Sequence, residues 1–163
     1  MNDAHWHLLF NHLPIVGLVF SLIALVVSLA LNSRAMRQLA YVLFVITALS
    51  AIPAFLTGEP AEEQVENLLP NDEALMETHE DQGKIALWTS LGVGLLALVA
   101  LYMDFKNMPG AKTLTFVLLL AGLGNVIFMY VVGNSGGQIR HTEIRSNATA
   151  APVTTPNEHR DDD

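Results

Sequence analysis

Four uncharged apolar runs constrain this chain more than any other feature. They cover residues 13–31, 39–56, 85–103 and 114–132, and measure 19, 18, 19 and 19 residues. At ~1.5 Å of rise per residue, each is long enough as a helix to cross a hydrocarbon core of ~30 Å. None carries the polar face that a helix on the surface of a soluble domain needs. Four such runs in 163 residues are hard to hide from water in a soluble bundle. The expected fold is all-α: an integral membrane four-helix bundle. Composition agrees, with 52% hydrophobic residues, 15% charged residues and a mean hydropathy of +0.40.

The first run follows Asp3 without any Lys or Arg before it and is longer than a signal-peptide core, so it is read as a span. The chain has no cysteine, which excludes disulfides, thiolate metal sites, cysteine-ligated iron–sulfur clusters and covalent c-type haem. Nine of its sixteen acids fall between Glu59 and Asp81, and three more end the chain. There is no basic patch, and nucleic acid is therefore not an expected partner. Residues 1–146 form the expected four-span domain, with an acidic outer loop at 59–82. Residues 147–163 read as a disordered polar tail. The expected location is the bacterial cytoplasmic (inner) membrane, surrounded by lipid.

Basic residues in short loops set orientation. Arg34 and Arg37 separate the first two runs, and Lys106 and Lys112 the last two. The other side has Lys84, Arg140 and Arg145. This bias places both termini and the acidic loop outside the cytoplasm. His5, His7 and His12 precede the first run, His79 precedes the third and His141 follows the fourth. Five of the six histidines thus converge on one end of the bundle, the outer one. Interfacial anchoring, with Trp6, is the plain reading; ligation is the alternative.

Pro14 allows two local structures: a helix starting there, or one starting near Asp3 and interrupted at Pro14. In the second, His7 and His12 point about 140° apart. Pro53 should kink the second span and Gly58 end it. Pro60 suits the first turn of a short helix with Glu62, Glu63 and Glu66 on one side and Val65, Leu68 and Leu69 on the other. Asn71 or Asp72 should cap a helix running into the third span, and Glu80 should pair with Lys84 or orient an imidazole. Asn125 should be satisfied across a helix interface, or contact a quinone or a proton path. Gly133, Gly136 and Gly137 allow a tight turn or close backbone approach before Arg140, His141 and Glu143, and this segment suits an anion such as a propionate. Gly17, Ser21, Ala24 and Ser28 form a close-packing stripe.

The stretch HLLFNHLPI, with His7, His12, Pro14 and Ile15, resembles the opening HPxLVHFPI pattern of an uncharacterised family of small four-span bacterial membrane proteins. Thr57 and Gly58, His79, then Gly136, Gly137 and His141 follow in that family's order. Here Leu13 replaces the family's Phe, and the step from the glycine pair to His141 is shorter. The resemblance implies a haem-binding, redox-linked membrane protein.

Three functions follow. The first is a b-type cytochrome with one or two haems, paired as His12 with His79 and His7 with His141. Arg140, Gly136, Gly137 and Asn125 would be further cofactor contacts, and a quinone or a larger respiratory or redox complex would be the partner. The second is a non-haem iron, zinc or copper site drawn from His7, His12, His79, His141, Glu80 and Glu143. The third is a cofactor-free accessory subunit of a larger membrane complex. All three favour an electron-transfer or accessory role over a stand-alone enzyme.

Overall fold

The computed structural model describes residues 2–66 and 73–145. Six helices follow in order: α1 (Asp3–Phe10), α2 (His12–Ala30), α3 (Arg34–Leu56), α4 (Gly58–Glu66), α5 (Glu73–Phe105) and α6 (Ala111–Arg140), then a single 3₁₀ turn at Thr142–Ile144. Among the described residues the regular structure is all helical. Four stretches are long and apolar enough to cross a membrane: Asp3–Ala30, Arg34–Gln64, Glu73–Phe105 and Ala111–Arg140. Val65, Leu68, Leu69, Asn71, Asp72 and the tail from 147 lie outside the residues whose side chains or backbone are described.

Helices α2, α3, α5 and α6 form a four-membered ring in which each packs on the next and α6 closes on α2. Buried positions recur at steps of three and four: Leu18, Ser21, Leu25 and Ser28 on α2; Ala86, Ser90, Val93, Ala97 and Ala100 on α5; Thr115, Leu118, Gly122, Asn125 and Met129 on α6. That spacing suits left-handed bundle packing. Most of these residues are small, so the backbones come close; a Cβ on Gly17 would stand 2.6 Å from Thr47 Oγ1. Leu18, Leu25, Tyr41, Phe44 and Leu118 also fill the core, but many large apolar side chains point outward. Trp88 is 72% exposed, Leu120 70% and Ile127 68%. An extensive exposed apolar girdle around a core rich in small residues suits a lipid surround.

At one end the two turns are built alike. Asn32 and Asn107 adopt the left-handed conformation (φ 47° and 54°), which asparagine tolerates. The amide of Ser33 bonds Ser28 O at 2.9 Å and that of Met108 bonds Met103 O at 2.9 Å, closing both helix ends. Between these turns sits Asp104, 5% exposed. Its carboxylate accepts from Arg34 Nε at 3.2 Å, Arg37 Nε at 2.9 Å and Gln38 Nε2 at 2.9 Å, tying the start of α3 to the end of α5. Below it, Tyr41 and Thr115 share a hydrogen bond of 2.6 Å across the bundle.

The opposite end carries the histidines, and its local structure departs from expectation in three places. Asn2 caps α1 by accepting from His5 N at 3.1 Å, so the helix does begin near Asp3, and α1 passes into α2 at Asn11, one turn before Pro14. Gly58 does not end α3 in a left-handed turn. The boundary falls at Thr57, whose N–H still bonds Pro53 O at 3.1 Å and whose hydroxyl donates to the same carbonyl at 2.8 Å, and Gly58 starts α4. Gly133, Gly136 and Gly137 form no turn; α6 continues through them to Arg140. The described parts of the expected acidic loop are helical, belonging to α4 and the first turns of α5. Helix α5, at 33 residues, spans roughly 50 Å and therefore projects beyond a bilayer core. Lys84 pairs with Glu80 at 3.0 Å as expected, and also with Asp81 at 3.2 Å.

Candidate functional site

His7 on α1 and His79 on the projecting part of α5 face each other. Their ring centroids are 6.4 Å apart and their planes cross at 84°. Both rings are partly buried at the bundle's end. Helix α1 leads into α2 through Asn11, its own backbone helical and its N–H on His7 O at 2.9 Å, and the chain from Thr57 packs α4 against α1. Gln64 fixes that contact, donating to Asp3 Oδ2 at 2.7 Å and accepting from Ala4 N at 3.4 Å.

The hydrogen bonds fix each ring's orientation. His7 Nδ1 lies 3.1 Å from Ala54 O, a group that only accepts, so this nitrogen carries the proton. Thr57 Oγ1 is 3.3 Å from the same nitrogen. His79 Nδ1 lies 3.0 Å from Ser135 Oγ. The Ser135 proton goes to Gln82 Oε1 at 2.6 Å or Val132 O at 2.9 Å, so Ser135 accepts from His79. In both neutral rings Nε2 is then the nitrogen with a free lone pair. Two glycines stand beside the rings. A Cβ on Gly136 would come 2.8 Å from His79 Cε1, and one on Gly58 3.6 Å from His7 Cε1. One turn along from His7, Asn11 Oδ1 is buried without a hydrogen-bond partner among the described residues.

Other expected site residues fall elsewhere. His5 is exposed and bonds Asn2 Oδ1 at 3.0 Å. His12 is exposed, its Nδ1 donating to Leu8 O one turn back at 2.7 Å. His141 is exposed and pairs with Glu143 at 2.9 Å; the Glu143 carboxyl is held below its usual range by its own backbone N–H and by His141. Of the four histidines expected as ligands, the structure brings together the rings of His7 and His79, while His12 and His141 are exposed. Glu80 is engaged with Lys84, Arg140 is exposed, and Gly137 packs near Ile144. Among the described residues no three His, Asp or Glu side chains converge in a metal-binding group, so the six expected ligands do not form one cluster. Asn125 makes two hydrogen bonds across the α5–α6 interface, its carbonyl 3.1 Å from Thr89 Oγ1 and its amide donating to Ser90 Oγ at 3.2 Å. Ala54, Gln82 and Ser135 were missed by sequence reasoning. Only Ser135, next to the glycine pair, carried a visible signal.

A family described as predicted membrane protein (DUF2231) matches residues 6–143. The chain belongs to that family. No curated protein and no solved structure matches it. The family match begins one residue before His7 and ends at Glu143, so it contains both facing imidazoles and all four spans. As a member of this family the chain is a four-span membrane protein, in keeping with the apolar girdle of its bundle.

Proposed function

We propose that this DUF2231 protein holds one b-type haem between His7 and His79 and passes single electrons at the histidine-bearing end of the bundle. The observation that carries the reading is the spacing of the two rings. Two imidazoles bound on opposite sides of one metal, with nitrogens at roughly 2.0 Å from it, have ring centres about 6.3 Å apart. The observed separation is 6.4 Å. The protein also directs each Nδ1–H to an acceptor of its own, the arrangement that orients a ligating imidazole and leaves Nε2 for the metal. Gly136 and Gly58 keep Cβ atoms away from both rings, which favours close approach of a flat macrocycle. One facing pair favours one haem over two.

A haem held by His7 and His79 would supply one-electron redox chemistry. The residues of this chain do the rest: His7 and His79 bind, Ala54, Thr57 and Ser135 fix ring orientation, and Gln82 holds the Ser135 proton away from His79. A non-haem cluster is disfavoured because the carboxylates do not converge on the pair.

A reduced-minus-oxidised optical spectrum of the detergent-purified protein tests this, with extraction of the haem for typing. The expected result is a sharp b-type α-band that disappears in His7→Ala and in His79→Ala but persists in His12→Ala and His141→Ala. A featureless spectrum from cells supplied with ample haem would overturn the reading. So would loss of the band in His12→Ala with the band retained in His79→Ala.

A further inference from the structure

A second site stands apart from the histidines, on the membrane-facing side between α5 and α6. It is a cleft of about 380 Å³ lined by Thr89, Gly92 and Val93 on α5 and by Gly124, Asn125 and Phe128 on α6, among others. That volume falls in the range of about 300–1,000 Å³ usual for small-molecule sites. The space exists because two residues lack side chains. A Cβ on Gly92 or on Gly124 would meet nothing within 4 Å. No histidine lines the cleft, and Thr89, Gly92 and Gly124 are exposed, so it opens sideways rather than to the ends of the bundle.

Its polar feature is Asn125, only 6% exposed. A side-chain amide has two N–H groups and two carbonyl lone pairs. Asn125 gives one N–H to Ser90, and its carbonyl shares the one Thr89 hydroxyl proton with the Ile85 and Ala86 carbonyls. One N–H and one lone pair remain without a partner among the described residues. In low dielectric such a leftover group is costly, and a ligand that satisfies it is favoured. Depth narrows the ligand. Asn125 stands two residues from the middle of the run 114–132, about 3 Å along the axis. Lipid ester carbonyls lie at the edges of the core, roughly 15 Å from its middle. The missing acceptor must therefore arrive on a molecule that dissolves in the hydrocarbon yet carries a carbonyl. A flat ring is favoured by walls of bare glycine backbone beside Phe128.

We infer that this cleft binds the ring of an isoprenoid quinone, with a ring carbonyl accepting from the Asn125 amide and the ring lying against Gly92 and Gly124. The same amide serves the reduced form, since its spare lone pair accepts from a quinol hydroxyl. The site stands on its own geometry and does not rest on the histidine pair. Thr89 is ten residues from His79 on α5, about 15 Å along the helix.

The test uses the full chain in phosphatidylcholine nanodiscs and a photoactivable azido-quinone, with adducts mapped by peptide mass spectrometry. Expected are saturable adducts on peptides covering 85–96 and 121–128, suppressed by excess decyl-ubiquinone. Gly124→Leu, which fills the cleft without meeting a neighbour at Cβ, abolishes them while circular dichroism stays helical. Asn125→Ala weakens competition by roughly three- to tenfold, the loss of one net hydrogen bond. Labelling that rises linearly with probe and is equal in Gly124→Leu overturns the inference. So does a dimer in native mass spectrometry that Gly124→Leu converts to monomer, because a second copy then fills the cleft. Labelling needs no haem, so a failed optical spectrum leaves this result readable by itself.

Discussion

Gly136→Ala is the sharpest probe of the histidine end. The added methyl would stand 2.8 Å from His79 Cε1, where ordinary contact begins at 3.4 Å, so ring or helix must move by about 0.6 Å. The His79 ring has little freedom to do so: Ser135 holds its Nδ1 at 3.0 Å, and the His7 ring centroid is 6.4 Å away. Overpacking of this kind costs ~1–3 kcal/mol, against a helix-propensity gain of ~1 kcal/mol for replacing glycine by alanine. The net change is about 0–2 kcal/mol of destabilisation. Gly124→Ala is the control. It lies on the same helix, and its Cβ meets nothing within 4 Å, so only the propensity gain of ~1 kcal/mol remains. The two variants should differ by ~1–3 kcal/mol in reversible unfolding by mixed micelles. A displacement of 0.6 Å also exceeds the ~0.5 Å within which a binding constellation must be held, so Gly136→Ala should lower haem occupancy while Gly124→Ala does not. Equal stability and equal occupancy in the two variants would refute the packing of His79 against α6 and, with it, the argument for a cradle.

Two further outcomes follow from the other end of the bundle and its middle. Asp104→Asn leaves Arg37, whose side chain is 11% exposed, without its carboxylate; with Arg34 at 45% exposure and solvent close by, the loss should be ~1–3 kcal/mol in the same unfolding assay. Gly17→Ala places a Cβ 2.6 Å from Thr47 Oγ1 at the α2–α3 contact and should cost ~1–3 kcal/mol, whereas Gly83→Ala, which meets nothing, should be neutral or stabilising.

The spans were legible because lipid imposes a length and a polarity on each of them, and both survive in the letters of the chain. The convergence of the histidines on one end followed from span parity alone. Which histidines meet did not. His12 belongs to the same motif as His7, yet its Nδ1 turns back to Leu8 O, because a helix running from Asp3 puts that carbonyl one turn away. His7 faces inward because α1 packs on the end of α3 and on α4, and that depends on contacts between residues roughly fifty to sixty positions apart. The glycines before Arg140 allow either a tight turn or close backbone approach, and the letters alone do not choose between them. Here they serve close approach within a continuous helix, a distinction that needs the neighbour, His79, to be seen. Asp104 escaped notice for a similar reason. One acid after an apolar run looks like a boundary, and its role appears only once Arg34, Arg37 and Gln38 are placed around it.

That cluster bears on the direction of insertion. Four Lys and Arg lie at the asparagine-turn end (Arg34, Arg37, Lys106 and Lys112) against Lys84, Arg140 and Arg145 at the histidine end. The margin is one residue. Two of the four are neutralised in part by Asp104, but topology follows the count of Lys and Arg in short loops near the spans rather than net charge. The loops holding the four are also the shortest in the chain, and Lys84 at the other end is already paired with Glu80 and Asp81. The expected topology puts the asparagine turns in the cytoplasm and the His7–His79 pair outside it. With no native cysteine to interfere, single substitutions report this directly. His5→Cys should react with a membrane-impermeant maleimide in intact cells whose outer barrier is opened. Lys106→Cys should react only after the inner membrane is broken. The reverse pattern would invert the protein, place the imidazole pair on the cytoplasmic side, and move any electron exchange through it to partners in that compartment.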